Sequence, residues 1–404
     1  MDQTTTPDRS TIRSLIGSSS EAWANPHPHY HRLRAEAPVH YVPELDEYVL
    51  TRFDDCERVL RDPTMSSDAT RRNVQLRNGA RQAAGDGRVP SMLFMDPPDH
   101  TRLRKLVSKA FTPRTVERLR PHVAELVDGL LDQVDPAGFD LIESLGYPLP
   151  VTVICELLGI PTQDQGMFGP WSSAVSRMLD ADLDEATIQA GVVAFVELMS
   201  YLDGILEERR ANPRDDLLSG LIAAEEAGDR LTEEELRSTV LLLFVAGHET
   251  TTNLIGNGIT ALLRHRDQWE RLVADPSLAP GAVEEVLRFD GPVHLTGRTA
   301  TVECEVAGVT VTPGQGLLTL IAAANRDPAR FPDPDRLDIT RPNPHHLAFS
   351  HGIHYCLGAA LARLEGQEAF KALATRFPHL ELAEEPVHRE HFVLRGYQAV
   401  HLRA

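Results

Sequence analysis

The residues with the clearest chemical potential lie near the C-terminus, in the stretch FSHGIHYCLG at 349–358. Cys356 stands directly before an Ala- and Leu-rich segment, which predicts a helix over about 357–373. Backbone N–H groups and the dipole at a helix N-terminus stabilise a nearby anion, so Cys356 is well placed to be a thiolate. A thiolate is a soft, electron-donating ligand for a metal ion.

The neighbours of the cysteine indicate what kind of metal site this is. Gly352 and Gly358 have no Cβ, which would let a flat, bulky group approach the backbone closely. His354 is near enough in sequence to hydrogen-bond to an anion beside the ligand. Together these residues predict a loop that gives one sulfur to a metal in a large planar cofactor.

Two other interpretations of Cys356 remain open at this point. A lone cysteine in a reduced compartment is most often a small buried apolar residue. Zinc is the other candidate, because four histidines crowd the cysteine: His345, His346, His351 and His354. A structural zinc site usually needs a second paired ligand set, and the sequence shows neither a CxxC nor an HxxxH partner.

A second unusual stretch interrupts a long apolar helix. Thr232 and Glu235 form a capping box, and the helix is predicted to continue to about His265. Glu249 and Thr250 fall on its apolar face, where polar groups are costly unless they are partnered or used. A kinked helix whose hydroxyls bond back to its own carbonyls is the simpler alternative.

The spacing Phe-x-x-Gly-x-x-x-Cys-x-Gly resembles the haem-binding loop of the cytochrome P450 superfamily, in its soluble bacterial, ferredoxin-dependent form. The resemblance implies haem b with Cys356 as the proximal iron ligand. It also implies that other residues of the loop contact the haem: Phe349, Gly352, His354 and Gly358.

The stretch Ala246-Gly-His-Glu-Thr-Thr resembles the family's oxygen-activation motif. By that match, Gly247 and its neighbours open a groove for O2, Thr250 is the hydroxyl that supports proton delivery, and Glu249 relays protons from water. O–O cleavage needs two protons, and a hydroxyl beside a carboxyl is a plausible relay.

Further motifs follow from the same resemblance. His100 and Arg104, four residues apart on one helix, match a pair that binds a haem propionate, and Arg298 matches a strand arginine with the same role. Other cations near that helix, on what would be the proximal face, are expected to dock an acidic electron donor: Arg102, Lys105, Lys109, Arg114, Arg118 and Arg120. Read without the resemblance, they form a solvated helix face.

Structural support is predicted around the family's ExxR element. Glu285 and Arg288 match that element, and a later arginine should complete the network. Arg336 is our first choice for this third member, with Arg341 as the alternative.

The substrate pocket is the least determined part of the sequence. The resemblance assigns a covering loop to 66–90 and mobile roof helices to 163–190. The residues expected to line the pocket are Leu93, Phe244, Val245, Leu295, Phe392 and Val393.

Composition limits the remaining possibilities. The 404 residues carry a net charge of −19, which argues against nucleic acid as a partner. The four cysteines form no motif with one another and indicate reduced thiols. No apolar signal segment precedes residue 20, and the run Val240–Ala246 is too short to span a bilayer, so a soluble cytoplasmic protein is expected.

We therefore expect a mainly α, helix-rich α+β fold, with a flexible tail at 1–20 and one haem domain at 21–404. The expected activity is a monooxygenase using O2 on a small hydrophobic substrate, in secondary metabolism or xenobiotic oxidation. No nicotinamide or flavin fingerprint is found, so electrons from NAD(P)H should arrive through a ferredoxin and its reductase. A non-catalytic haem sensor or carrier and a peroxide-driven enzyme are the alternatives.

Overall fold

The computed structural model describes residues 24–74, 91–108, 111–180, 183–223, 225–226, 229–342 and 344–404. The predicted tail at 1–20, residues 75–90 of the predicted covering loop and Lys109 lie outside the described residues.

Helices make up most of the described chain. In chain order they are α1 His27–Glu36, α2 Phe53–Arg61, α3 Asp99–Ser108, α4 Pro113–Glu117, α5 Arg120–Leu131, α6 Pro148–Leu158, α7 Gln165–Arg177, α8 Glu185–Ala211, α9 Leu217–Ile222, α10 Glu233–Arg264, α11 Arg266–Ala274, α12 Ala279–Asp290, α13 Ile321–Ala324 and α14 Ala359–Arg376.

The strands are short and lie mainly towards the two ends of the chain. They are β1 Val39–Val42, β2 Glu47–Leu50, β3 Met65–Ser66, β4 Phe139–Asp140, β5 Glu225–Glu226, β6 Asp229–Arg230, β7 Thr296–Ala300, β8 Cys304–Val306, β9 Val309–Val311, β10 Gly316–Thr319, β11 Glu381–Leu382, β12 Val387–His388, β13 Tyr397–Ala399 and β14 His401–Arg403. The largest described sheet has the order β1-β2-β10-β7-β3, with β10 parallel to β2 and antiparallel to β7. The expected helix-rich fold with small sheets is confirmed.

The long helix α10 is the central element. Its capping box is present: the Thr232 side chain accepts from the Glu235 N–H, and the Glu235 side chain accepts from the Thr232 N–H. From Thr251 to Leu262 every residue is buried. Because this half of the helix has no solvent-facing side, α6, α12 and α14 can all pack against it.

Pro170 and Pro280 lie within helices. Helix α7 continues through Pro170. The missing Pro170 N–H would have bonded to Gly166, which is exposed, so water can satisfy that carbonyl. Helix α12 begins at Ala279, and Pro280 fits the first turn of this helix.

The ExxR network is present with a different third member from the one first chosen. Glu285 is buried and accepts from Arg288 Nη2 at 2.7 Å and from Arg341 Nε at 3.2 Å. Arg336 contributes only its backbone carbonyl, which accepts from Arg288. The choice of Arg336 was therefore wrong, and Arg341 completes the network because its side chain, not that of Arg336, reaches the buried carboxylate.

Among the described residues, helix α8 is long and apolar enough to cross a membrane by length and composition alone. One such helix is weak evidence. In the structure α8 packs against α7 and α10, and its outward side carries exposed Val193 and Val196.

Glu365 is a buried acid between α14 and α10. It is 1% exposed, and its carboxyl oxygens make no hydrogen bond of ordinary geometry among the described residues, although the Thr251 hydroxyl lies close enough to interact. Burial raises the pKa of Glu365 to about 8, and the Thr251 hydroxyl opposes the shift only in part. The side chain is therefore a neutral acid over most of the physiological pH range.

We predict that Glu365→Gln stabilises the protein more at pH 8 than at pH 5. The folded-state pKa lies above the unfolded-state value, so the contribution of the neutral acid is complete below about pH 4.5 and is lost as the pH rises through 8. The difference should be on the order of a few kcal/mol and is measured by thermal unfolding at both pH values. Exposed Glu384→Gln is the control, and an equal gain at both pH values would contradict the assignment.

Candidate haem site

Cys356 lies at the start of α14 on a loop held by backbone bonds. Its N–H donates to Phe349 O at 2.9 Å, which closes the loop over 349–356. Cys356 is exposed to solvent. The surrounding protein nevertheless raises the pKa of the Cys356 thiol by burial, while the Gly358 N–H and the Arg104 guanidinium oppose the shift.

The two glycines of this loop have different surroundings. Nothing described lies within 4 Å of a Cβ placed on Gly358, so the space beside it is open. Gly352 has φ of +69°, and its Cβ would come within 2.5 Å of Leu60 O in α2. Glycine is therefore required at position 352 because the residue adopts a left-handed conformation and its backbone packs against another helix.

Four basic side chains converge beside the cysteine loop: His100, Arg104, His354 and Arg298. The rings of His100 and His354 have centroids 4.2 Å apart, and the Arg104 guanidinium donates to Tyr355 O. Both ring nitrogens of His100 and Nε2 of His354 are buried without a hydrogen-bond partner among the described residues.

Burial lowers the pKa of all four groups, and neighbouring cations add to this effect for the two histidines. Burial, then Arg298, His100 and Arg104, lower the pKa of His354 to about 3. Burial lowers the pKa of Arg298 to about 10, with Asp96 opposing. Unpartnered buried donors beside two arginines fit an anionic ligand that is not part of the protein.

The residues present fit a haem. Two carboxylates, as on the haem propionates, would satisfy the unpartnered donors of His100 and His354 and neutralise Arg104 and Arg298. Phe349 is nearly buried, with the Arg363 guanidinium 4.5 Å from its ring centroid, so this side of the loop is rigid.

The middle of α10 lies near the cysteine loop, because Leu357, next to Cys356, packs against the apolar cluster that contains Leu243 and Phe244. Ala246 is exposed and Thr250 is half-buried, one turn apart on a helix whose next residues are fully buried. The Thr250 hydroxyl donates back to Ala246 O at 3.1 Å. A Cβ on Gly247 would lie 3.1 Å from Ile154, so Gly247 allows α6 to pack closely and Ala246 takes the open position predicted for Gly247.

Glu249 has a partner that the sequence did not reveal. The carboxylate is 3% exposed, and its Oε1 accepts from Arg389 Nη1 at 2.5 Å. Arg389 lies 140 residues further along the chain, and no local pattern connects the two. The ion pair with Arg389 offsets part of the cost of burying the Glu249 carboxylate.

The four histidines considered for zinc have other contacts. His345 and His351 lie 2.9 and 3.7 Å from the Glu57 carboxylate, His346 lies 3.3 Å from Glu284, and His354 packs on His100. The structure therefore does not support zinc at Cys356.

His248 connects α10 to α7. Its Nδ1 lies 2.7 Å from Phe244 O and its Nε2 lies 2.8 Å from Ser172 Oγ.

The predicted pocket residues divide into two groups. Leu93 is exposed, while Val245 and Val393 are half-buried. Phe244 is fully buried with its ring edge-on to Phe168 at 4.7 Å, so its assignment to the pocket lining was wrong: it points away from the cavity into the α7–α10 interface. Leu295 and Phe392 are nearly buried and share one apolar cluster behind the pocket wall.

The predicted basic docking cluster is also divided. Arg102 pairs with Glu235, and Arg120 bonds to Glu117 and to Glu368 at 2.5 Å. Lys105, Arg114 and Arg118 stay exposed. Part of the cluster therefore serves the fold, and the exposed cations Arg114 and Arg118 are available to a partner.

Comparison with known proteins agrees with this geometry. The family model described as cytochrome P450 matches residues 23–396. The chain is 45% identical over 386 residues to the vitamin D(3) 25-hydroxylase of Pseudonocardia autotrophica, covering 94% of this chain and 93% of that protein. It is 46% identical over 391 residues to the cytochrome P450 monooxygenase PikC of Streptomyces venezuelae, covering 94% and 91%.

A solved structure shows the same fold. Ligand-free CYP164A2 of Mycobacterium smegmatis superposes with a TM-score of 0.89 at 43% identity, covering 98% of this chain and 100% of that one. The chain belongs to the cytochrome P450 family. It is thus a P450 oxidoreductase of the monooxygenase type, a family that uses haem iron and O2, requires redox partners and acts on small substrates.

We predict that Arg298→Ala weakens haem retention. The change removes a buried cation that faces the unpartnered donors, so haem should dissociate about tenfold faster or more. Transfer of haem to excess apomyoglobin measures the rate. Arg118→Ala, which removes an exposed cation, is the control, and equal rates for both variants would contradict the role of Arg298.

Proposed function

We propose that this protein is a haem b monooxygenase that inserts one oxygen atom from O2 into a C–H or C=C bond of a small hydrophobic organic substrate. Electrons come from NAD(P)H through a ferredoxin and its reductase, and the protein acts in the cytoplasm. The ferredoxin docks near the exposed cations Arg114 and Arg118, close to the cysteine loop.

The observation that carries this proposal is the exposed Cys356 beside four basic groups, two of which bury ring nitrogens that have no hydrogen-bond partner among the described residues. The accessible segment of α10 at Ala246 and Thr250 supports it. When bound, the haem supplies the iron at which O2 is activated, with the Cys356 thiolate as its proximal ligand.

Thr250 and Glu249 are the two side chains that deliver protons from water. The Thr250 hydroxyl donates to Ala246 O at 3.1 Å, which directs its oxygen lone pairs away from the helix axis and leaves them free to accept from water. Glu249, the next residue, is nearly buried, and Arg389 orients its carboxylate. The pair can pass protons from water to the open side of the helix.

The relatives narrow the substrate class. One is named a vitamin D(3) 25-hydroxylase, another belongs to polyketide biosynthesis, and such names fit secondary metabolism. A spectral screen should therefore begin with vitamin D3 as the probe and continue with polyketide lactones.

We predict that Cys356→Ser abolishes the carbon monoxide difference spectrum typical of thiolate ligation. A serine hydroxyl is a poorer donor to iron than a thiolate. The reduced protein is treated with carbon monoxide and its absorption is compared with that of the wild type. Cys155→Ser, at a buried cysteine remote from the loop, is the control; an unchanged spectrum in Cys356→Ser would refute the ligand assignment.

We predict that Thr250→Ala keeps haem and probe binding but diverts electrons to hydrogen peroxide. Loss of the hydroxyl should lower product formed per NADH consumed by roughly an order of magnitude or more. Product and peroxide are quantified in a reconstituted ferredoxin system with a substrate from the screen. Thr250→Ser keeps the hydroxyl and should retain coupling. If Thr250→Ala matches the wild type, the role of Thr250 is wrong, and efficient turnover with peroxide alone would favour a peroxide-driven enzyme.

A further inference from the structure

The C-terminal segment 389–393 is held at two points by carboxylates from different helices. We name this segment the hairpin arm; it lies between β12 and β13. Glu249 of α10 binds one end of the arm, and Asp180, just beyond the end of α7, binds the other. The sequence analysis gave Asp180 no role.

Arg389 forms the first point. Its Nη1 donates to Glu249 at 2.5 Å, and its Nε donates to Tyr397 O at 3.0 Å. Its backbone N–H donates to Gly396 O at 2.9 Å. Because backbone and side chain are both fixed to the hairpin, the position of the Arg389 guanidinium follows the position of the arm.

Asp180 forms the second point. Its carboxylate is 1% exposed and accepts from the N–H groups of Phe392 at 3.0 Å and Val393 at 2.7 Å. Arg177 donates to the same carboxylate from the last turn of α7. Hydrogen bonds to a buried charged group are among the stronger ones in proteins, so the tip of the arm follows the end of α7.

Between the two points lies a polar cleft. It has a volume of about 510 Å³, and its lining includes Arg177, Asp184, Arg389 and His391. Arg177 of α7 and Arg389 of the hairpin arm therefore line the same cleft. Through its contacts with the two carboxylates, the hairpin arm connects the end of α7 to Glu249.

We infer that Asp180 is a positioning residue for Glu249, acting through the hairpin arm and Arg389. The inference rests on the proposed proton-relay function of Glu249. A shift of the α7 end moves Phe392 and Val393, the arm carries Arg389 with it, and the Glu249 carboxylate loses its fixed orientation beside Thr250. Closure of the roof over a substrate thus sets the geometry of proton delivery.

The test uses the holoenzyme without any organic substrate, with carbon monoxide as the probe. The infrared C–O stretch of the reduced complex reports the polar groups on the open side of α10, and Asp180 is not one of them. Amide hydrogen exchange of the peptide covering 389–396 reports the arm itself. The variants are Asp180→Ala, Asp180→Asn, Arg389→Ala and the double variant D180A/R389A, with Asp184→Ala as control.

Asp184 is the matched control because it lines the same cleft but accepts from the Thr187 N–H at 2.7 Å and has no bond to the arm. We expect Asp180→Ala to exchange at least about tenfold faster in 389–396 and to shift the C–O stretch in the same direction as Arg389→Ala. Asp184→Ala should leave both signals unchanged. The double variant should show the same C–O shift as Arg389→Ala alone, since both changes act on one path.

Three results would overturn the inference. One is a wild-type C–O stretch in Asp180→Ala despite faster exchange, and another is a shift in the double variant that equals the sum of the single shifts. The third is an equal shift in Asp184→Ala. If Asp180→Ala fails to fold, Asp180→Asn takes its place in the test, because it keeps the side-chain volume. A wild-type complex without the thiolate spectrum would instead refute the proposed function, so the two failures are distinguishable.

Discussion

The structure depends on a buried carboxylate that two guanidinium groups share. Glu285 binds Arg288 and Arg341, and Arg288 also donates to the carbonyls of Asn325, Pro334 and Arg336. An unpaired charge at this depth would be strongly destabilising, so the three side chains persist together or not at all. Their bonds fix the backbone that leads from α13 to the cysteine loop.

Glu284, the residue of α12 that precedes Glu285, extends this support to the cysteine loop itself. Glu284 binds Arg363 at 2.6 Å and His346 at 3.3 Å, and these contacts lower its pKa to about 2 although burial opposes the shift. Arg363 belongs to α14 and His346 precedes the loop, so one carboxylate holds both ends of the segment that carries Cys356. The sulfur is thereby placed by elements outside the cavity, which leaves the cavity open for the cofactor.

Local signals made much of this architecture predictable. The capping box fixed the start of α10, and the spacing around Cys356 indicated the loop and the helix behind it. Each of these features depends on residues that are adjacent in the sequence.

Features that depend on distant contacts were missed or misassigned. Arg341 and Arg336 are equivalent by sequence pattern, and only the fold decides which side chain reaches Glu285. Arg389 and Asp180 gave no signal because their partners are 140 and 212 residues away. Phe244 is large and apolar, as pocket residues often are, but its position on α10 places its ring against Phe168.

The four converging basic groups have a consequence for which macrocycles the protein accepts. Arg104 and Arg298 disfavour a positive charge on His100 and His354, whose unpartnered ring nitrogens need an acceptor. A porphyrin with two free acid groups would supply anionic acceptors, whereas its dimethyl ester, of nearly the same shape, would not. Such a site would discriminate among tetrapyrroles by the ionisation of their acid groups, independently of the metal at their centre.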